Sequence, residues 1–253
     1  MPGKKFENLM DIMYKLRKEC PWDKKQTHDS LKANTLEEAY EVIEAIDEKD
    51  FDALKGELGD LLLHIVFHSV IADENNKFNI DEVIEGISEK LIRRHPHIFG
   101  DEQVDGADAV AKNWETIKME EGRDSVLEGV PKNLPQLYRA YRMQEKASKV
   151  GFDWDSKEPV WDKIQEEIEE LKHAGKSNDK EKLEEEFGDL LFSLVNYARF
   201  IDVNPENALR RTNDKFVKRF MYIERKLREE GKSVIDSNLE EMDRLWEESK
   251  KEK

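Results

Sequence analysis

The chain is expected to fold as an all-α protein made of two tandem helical-bundle units. Three observations carry this expectation. Apolar residues recur at three- and four-residue spacing along most of the 253 residues, and no segment alternates as a half-buried strand would. Glu, Lys and Leu are abundant while Gly (12) and Pro (7) are few, which favours helix. The second half also repeats the acidic pattern of the first at a fixed offset.

Taken in order, residues 6–19 put Phe6, Leu9, Met10, Met13 and Leu16 on one helical face, and Pro21 ends that helix. The stretch CPWDKKQTHDS reads as a loop. Thr35, with Glu38 three residues on, has the capping-box pattern and is expected to start the next helix, LEEAYEVIEAIDE. After a break at Lys49–Asp50 a long helix is expected from Phe51 to Ala72, its apolar second half buried and Leu61–Leu63 in the core. Another runs from Ile80 to Arg94, where His95–Pro96 stops it. A loop and a helix over 107–120 complete the first half. Residues 121–135 hold two Gly and two Pro and read as a connection. Further helices are expected at 137–150, 160–174, 180–201, 205–230 and 239–251. The expected organisation is a first unit over 1–122, a connecting segment over 123–158 and a second unit over 159–253.

Charge narrows the partners. Lys plus Arg is 42 and Asp plus Glu is 58, a formal net charge of −16. Such a chain repels polynucleotides and anionic lipid, so neither nucleic acid nor membrane is expected as a partner. Charged residues reach 40%, which raises the question of disorder, but periodic apolar residues with five Trp and eleven Phe argue for a packed core. There is no run of eighteen apolar residues, and MPGKKFENLM lacks the apolar centre of a signal peptide, so a cytoplasmic protein is expected. The single Cys20 excludes an intrachain disulfide and a cysteine-based zinc site, and reads as an inert, partly buried thiol.

The repeat is specific. EEAYE at 37–41 matches EEIEE at 166–170, and ELGDLLL at 57–63 matches EFGDLLF at 186–192, both 129 residues apart (166 − 37 and 186 − 57). EKLIRR at 89–94 matches DKFVKR at 214–219 at an offset of 125, and NWETIK at 113–118 resembles LWEESK at 245–250. On helices, Glu37 and Glu38 share a face with Glu41, and Glu57 with Asp60. If the two helices pack antiparallel, their carboxylates converge, and unpaired they would repel. A hard divalent cation relieves the repulsion, and oxygen-only ligands suit Mg²⁺ or Mn²⁺. Such a box beside basic residues points to phosphate-ester or phosphoanhydride hydrolysis. Lys215 and Arg219, four apart on one helix, fit either a phosphate clamp or a surface ion-pair face. His64 and His68 correspond to Ser193 and Tyr197 in the repeat, so they read as packing or surface residues rather than ligands. His95 and His97 have no counterpart.

Together, EExxE, ExxD and the following K-F-x-x-R helix resemble the MazG nucleoside triphosphate pyrophosphohydrolases of the all-α NTP pyrophosphatase superfamily. CPWDKKQTH, TLEEAYEVIEAI and VGFDWD strengthen the likeness, which covers nearly the whole chain. The resemblance implies Mg²⁺-dependent hydrolysis of nucleoside triphosphates of broad base type to monophosphate and pyrophosphate, a nucleotide-pool housecleaning role, and a homodimer. It implies Glu167, Glu170, Glu186 and Asp189 as metal ligands in the second unit, with Glu166 beside them orienting water. It implies Lys182, Lys215 and Arg219 as phosphate contacts, Asn213 as a polar contact and Trp246 against the base, although Trp246 also reads as a helix anchor. In the first unit the matching residues are Glu37, Glu38, Glu41, Glu57 and Asp60, with Arg94 and Trp114. That unit departs from the pattern: Lys182 corresponds to Ala53, Asn213 to Ser88 and Phe220 to His95. Two other readings stay open: a narrower dUTP/dCTP diphosphatase or phosphoribosyl-ATP pyrophosphohydrolase, and a non-catalytic acidic helical scaffold.

Overall fold

The computed structural model describes residues 2–102, 106–122, 124–177 and 179–251. Among them are eleven α-helices and no strand, as the periodicity predicts. Contacts group the chain into two compact units, Met1–Gln103 and Val104–Lys253. This grouping follows packing, whereas the division at 122 and 158 follows the sequence repeat.

The first unit holds α1 (Pro2–Glu19), α2 (Lys32–Glu48), α3 (Phe51–Glu74), α4 (Ile80–Arg93) and the one-turn α5 (Pro96–Phe99). α2 and α3 form a tight antiparallel hairpin. Lys49 closes α2 in the left-handed region (φ 58), and the Asp50 side chain caps α3 by accepting from the amides of Asp52 and Ala53. Its core is Met10, Met13, Leu31, Val66, Phe67, Val70, Ile71 and Ile80. This is the apolar second half of α3 laid on the Met face of α1.

The second unit holds α6 (Ala107–Glu120), α7 (Gln136–Lys149), α8 (Lys157–Ala174), α9 (Lys180–Phe200), α10 (Pro205–Glu229) and α11 (Leu239–Ser249). α8 and α9 repeat the hairpin of α2 and α3, and α7 lies along α9. α10 packs on α7 and on α11, where Ile223, Leu227 and Leu245 are buried against Phe220, Met242 and Trp246. The repeat extends to the caps. Asp50 and Asp179 (179 − 50 = 129) cap α3 and α9, and Asn79 and Asn204 (204 − 79 = 125) cap α4 and α10.

Four expectations need correction. Thr35 does not start α2; the helix begins a turn earlier at Lys32, and the Thr35 hydroxyl instead donates to the Leu31 carbonyl at 2.9 Å. α1 begins at Pro2 rather than near Phe6, because Pro is tolerated in a first turn. The loop after Arg94 contains α5. Of Leu61–Leu63, Leu62 is exposed, because it lies off the face that α3 turns to α1. Cys20 is free and half-buried, as expected.

A candidate metal and nucleotide site in each unit

The hairpins bring the carboxylates together. In the first unit Glu38 and Glu41 on α2 and Glu57 on α3 offer oxygens that all lie within 4.8 Å of one another. In the second, Glu167 on α8 and Glu186 and Asp189 on α9 do the same. The fourth member of each set stands close by. Asp60 helps to hold the Glu38 and Glu57 carboxyls above their usual range, though burial is the largest cause and Glu41 contributes more than Asp60. Glu170 is likewise raised, by burial first and then by Glu186 and Glu167, against a lowering pull from Lys163. Packed like charges of this kind favour a proton or a cation between them.

An observation in the second unit points to a cation. Glu167 is only 4% exposed, and one of its oxygens, Oε2, is buried with no hydrogen-bond partner. Its other oxygen, Oε1, pairs with Lys163 Nζ at 2.8 Å. A buried carboxylate oxygen left bare is costly, and an oxygen-ligated divalent ion repays that cost. The donor set therefore fits Mg²⁺-type chemistry. Lys163 bridges to exposed Glu166 at 2.9 Å as well, and the two carboxylates push its ammonium pKa above the ordinary lysine value.

Lys163 is a site residue that sequence reasoning missed. Its signal was its place four residues before Glu167, an i,i+4 pair on the acidic face. In the first unit the same position is Asn34, and Glu38 instead faces His64, with His64 Nε2 3.8 Å from Glu38 Oε1. His64 is buried and hydrogen-bonds Thr35 through Nδ1 at 3.0 Å, while His68 meets Thr35 at 3.2 Å and stacks on His28. These histidines pack as expected, in a hydrogen-bonded group behind the carboxylates.

The remaining predicted residues are distributed as follows. Glu37 is exposed on α2 beside Glu38, whose pKa it raises. Lys182 sits in the first turn of α9, one turn before Glu186 on the same face. Asn213 and Lys215 are exposed on α10, and Arg219 lies over the Trp246 ring at 5.3 Å. Trp246 also packs against Phe216, with ring centroids 5.4 Å apart. Among the described residues no hydrogen bond or ion pair joins Lys215, Arg219 or Trp246 to the carboxylates of α8 and α9. Arg94 caps the end of α4, whereas its counterpart Arg219 is mid-helix; Pro96 cuts the first-unit helix short. Trp114 lies on α6, with Lys118 over its ring at 5.5 Å.

Beside the Glu167 cluster a cavity of about 470 Å³ opens between α7, α8, α9 and the GFDWD loop. Lys163, Glu167 and Asp189 form one wall, and Phe152, Trp154 and Phe192 supply much of the apolar lining. Arg199 on α9 forks both oxygens of Asp153 and so ties the loop to α9; its Nη1 donates to Asp153 Oδ2 at 2.7 Å.

Paired helical hairpins that each gather acidic side chains, the second beside a cavity of ligand size, define the class of all-α proteins fitted to hold a hard cation near a small ligand. Comparison with known proteins narrows this. The MazG nucleotide pyrophosphohydrolase domain matches residues 26–99 and again 156–222, one match over each hairpin. A Thermotoga maritima protein named nucleoside triphosphate pyrophosphohydrolase/pyrophosphatase MazG is 49% identical over 97% of this chain and 95% of its own length. An Escherichia coli K12 nucleoside triphosphate pyrophosphohydrolase is 42% identical over 98% of this chain and 97% of its own. The Bacillus subtilis protein YabN is 48% identical over 97% of this chain but 51% of its own length. The chain belongs to the MazG family. No described helix is long and apolar enough to cross a membrane.

Proposed function

We infer that this protein hydrolyses nucleoside triphosphates, ribo- and deoxyribo-, to the nucleoside monophosphate and pyrophosphate, with Mg²⁺ as cofactor and Mn²⁺ able to replace it. The observation that carries the reading is the buried, unpartnered oxygen of Glu167 within the Glu167–Glu186–Asp189 cluster. The names of the T. maritima and E. coli relatives favour it over a narrower diphosphatase or a scaffold.

In this reading Glu167, Glu170, Glu186 and Asp189 hold the cation in the second unit. Glu38, Glu41, Glu57 and Asp60 would do so in the first. When bound, the cation neutralises phosphate charge and makes water a better nucleophile. Water adds at the α-phosphorus, the bond to the bridging oxygen breaks, and pyrophosphate leaves. Glu166 stands beside the ligands to orient that water and take its proton, and Glu37 is its counterpart in the first unit. Lys163 and Lys182 lie on the same hairpin and offset charge on the triphosphate. We assign Lys215, Arg219 and Asn213 to phosphate contacts made in a homodimer. α9 and α10 expose Phe187, Leu191, Phe216 and Met221, apolar side chains that a second copy would cover. The contacts of Trp246 with Phe216 and Arg219 favour its anchoring role. A cytoplasmic nucleotide-pool role follows from this substrate class.

The test is a panel of nucleoside triphosphates with Mg²⁺, resolving pyrophosphate from phosphate by phosphorus NMR. Monophosphate plus pyrophosphate is expected from every base. Diphosphate plus phosphate, or no turnover, would overturn the reading.

A further inference from the structure

The first unit holds a polar group that nucleotide hydrolysis leaves unused. His28 in the loop before α2, Thr35 on α2, and His64 and His68 on α3 form one hydrogen-bonded chain behind the carboxylates. Its proton positions follow by counting. The Thr35 hydroxyl has one proton, and of its three partners the Leu31 carbonyl, at 2.9 Å, can only accept. The hydroxyl therefore donates to Leu31, and both rings donate to the hydroxyl, His64 through Nδ1 at 3.0 Å and His68 through Nε2 at 3.2 Å. His68 Nδ1 is then an acceptor, filled by His28 Nδ1 at 2.8 Å. Every contact is satisfied with all three rings neutral.

One nitrogen is left over. With its proton on Nδ1, neutral His64 carries a lone pair on Nε2. This nitrogen is 3.8 Å from Glu38 Oε1, too far for a hydrogen bond, although His64 is only 8% exposed. A buried lone pair facing a carboxylate is unfavourable unless a cation lies between them. Asp60, four residues before His64 on α3, shares its helical face. An imidazole whose far nitrogen is tied by a hydrogen bond, so that the near one is oriented and basic, is how proteins present histidine to a metal.

We propose that His64 Nε2 is a cation ligand of the first unit, beside Glu38 and Asp60, and that it gives this site a preference for a transition ion of the Zn²⁺ kind over Mg²⁺. The proposal rests on the reading that the first-unit carboxylates hold a divalent ion and adds which class of ion they take. Oxygen-only sites suit Mg²⁺, whereas imidazole suits zinc and its neighbours. The internal repeat marks the arrangement as particular to the first unit. At the offset of 129, Thr35, His64 and His68 correspond to Ile164, Ser193 and Tyr197. There the imidazole is missing, and Lys163 brings a positive charge to Glu167 instead. His28 and His68 only pack; His64 packs through one nitrogen and presents the other.

The test titrates the metal-free full chain, isotope-labelled at its histidine nitrogens, with Zn²⁺ and separately with Mg²⁺, read by NMR and calorimetry. Zn²⁺ is expected to shift the His64 Nε2 resonance and to bind at least about tenfold tighter than Mg²⁺, which leaves that resonance in place. His64→Ser, the second-unit residue, is expected to weaken Zn²⁺ binding at least about tenfold and Mg²⁺ binding less than about twofold. His64→Gln, which keeps the bulk and a donor for Thr35, is expected to do the same and carries the test should His64→Ser fail to fold. Zn²⁺ shifts confined to other histidines, Zn²⁺ binding no tighter than Mg²⁺, equal loss of both ions in the variants, or no loss of either would overturn the proposal. Because these are binding measurements at one imidazole nitrogen, the proposal fails separately from hydrolysis, which pyrophosphate release from the nucleotide panel judges.

Discussion

The first and second units share a hairpin, its capping residues and four carboxylates at matched positions, yet they surround those carboxylates differently. In the second, Lys163 holds Glu167 and a cavity lies behind it. In the first, Asn34 stands in place of the lysine, Glu38 faces His64, and Phe67 and Val70 are packed into the core. Burying an aromatic ring at such a position stabilises a fold by about 1.5–3 kcal/mol, which the second unit forgoes by placing Asn196 there. In the proposed reading the acidic motif alone is a metal platform, and what distinguishes a substrate site is the cation beside it and the space behind it, both of which differ between the two copies of the motif.

Four measurements bear on this contrast between the units. It fails most completely if no ion is needed: removing divalent cations with a chelator is expected to lower pyrophosphate release by at least about 1000-fold, restored by added Mg²⁺. Next in size, Lys163→Asn imports the first-unit residue and is expected to lower kcat/KM by roughly 10–100-fold through loss of the charge beside Glu167. Steady-state kinetics reads this, and unchanged kinetics would remove Lys163 from the site. Arg199→Val, again the first-unit residue, frees the GFDWD loop; with both partners of the Arg199–Asp153 pair mostly shielded, a loss of about 1–3 kcal/mol in folding stability is expected by denaturant titration. The smallest effect belongs to the first unit. Burial above all, then His28 and His64, holds His68 below its usual 6.5. As the pH falls through that value the unfolded chain takes up the proton first, so stability is lost on acidification and the loss levels off below the folded-state value. Thermal melting at pH 7.5 and 5.5 should show this, and His68→Tyr, the second-unit residue, should flatten the difference.

Much of this was legible in the sequence. Helix positions follow from apolar spacing and from stops such as Pro96, and the Glu167, Glu186 and Asp189 convergence follows from two acidic motifs on helices joined by a short turn. The boundaries were harder. Nothing local distinguishes Thr35 as a cap from Thr35 as a mid-helix residue bonded to Leu31, since tertiary contact with His64 and His68 decides it. The cavity was illegible for a similar reason. Gln144, Asp153 and Asn196, which line it, belong to different elements, have no shared motif, and meet only through packing of α7 on α9. The repeat did carry the signal, in Asn196 against Phe67, but only a known burial pattern gives that difference meaning.

In the proposed mechanism the carboxylates of α8 and α9 hold the ion that turnover uses. The most direct measurement compares Mg²⁺-dependent pyrophosphate release by Asp189→Ala with that by Asp60→Ala, its counterpart in the first unit. A loss of at least about 100-fold in Asp189→Ala, against less than about threefold in Asp60→Ala, is predicted. Full-rate release by Asp189→Ala, or a larger loss in Asp60→Ala, would contradict it.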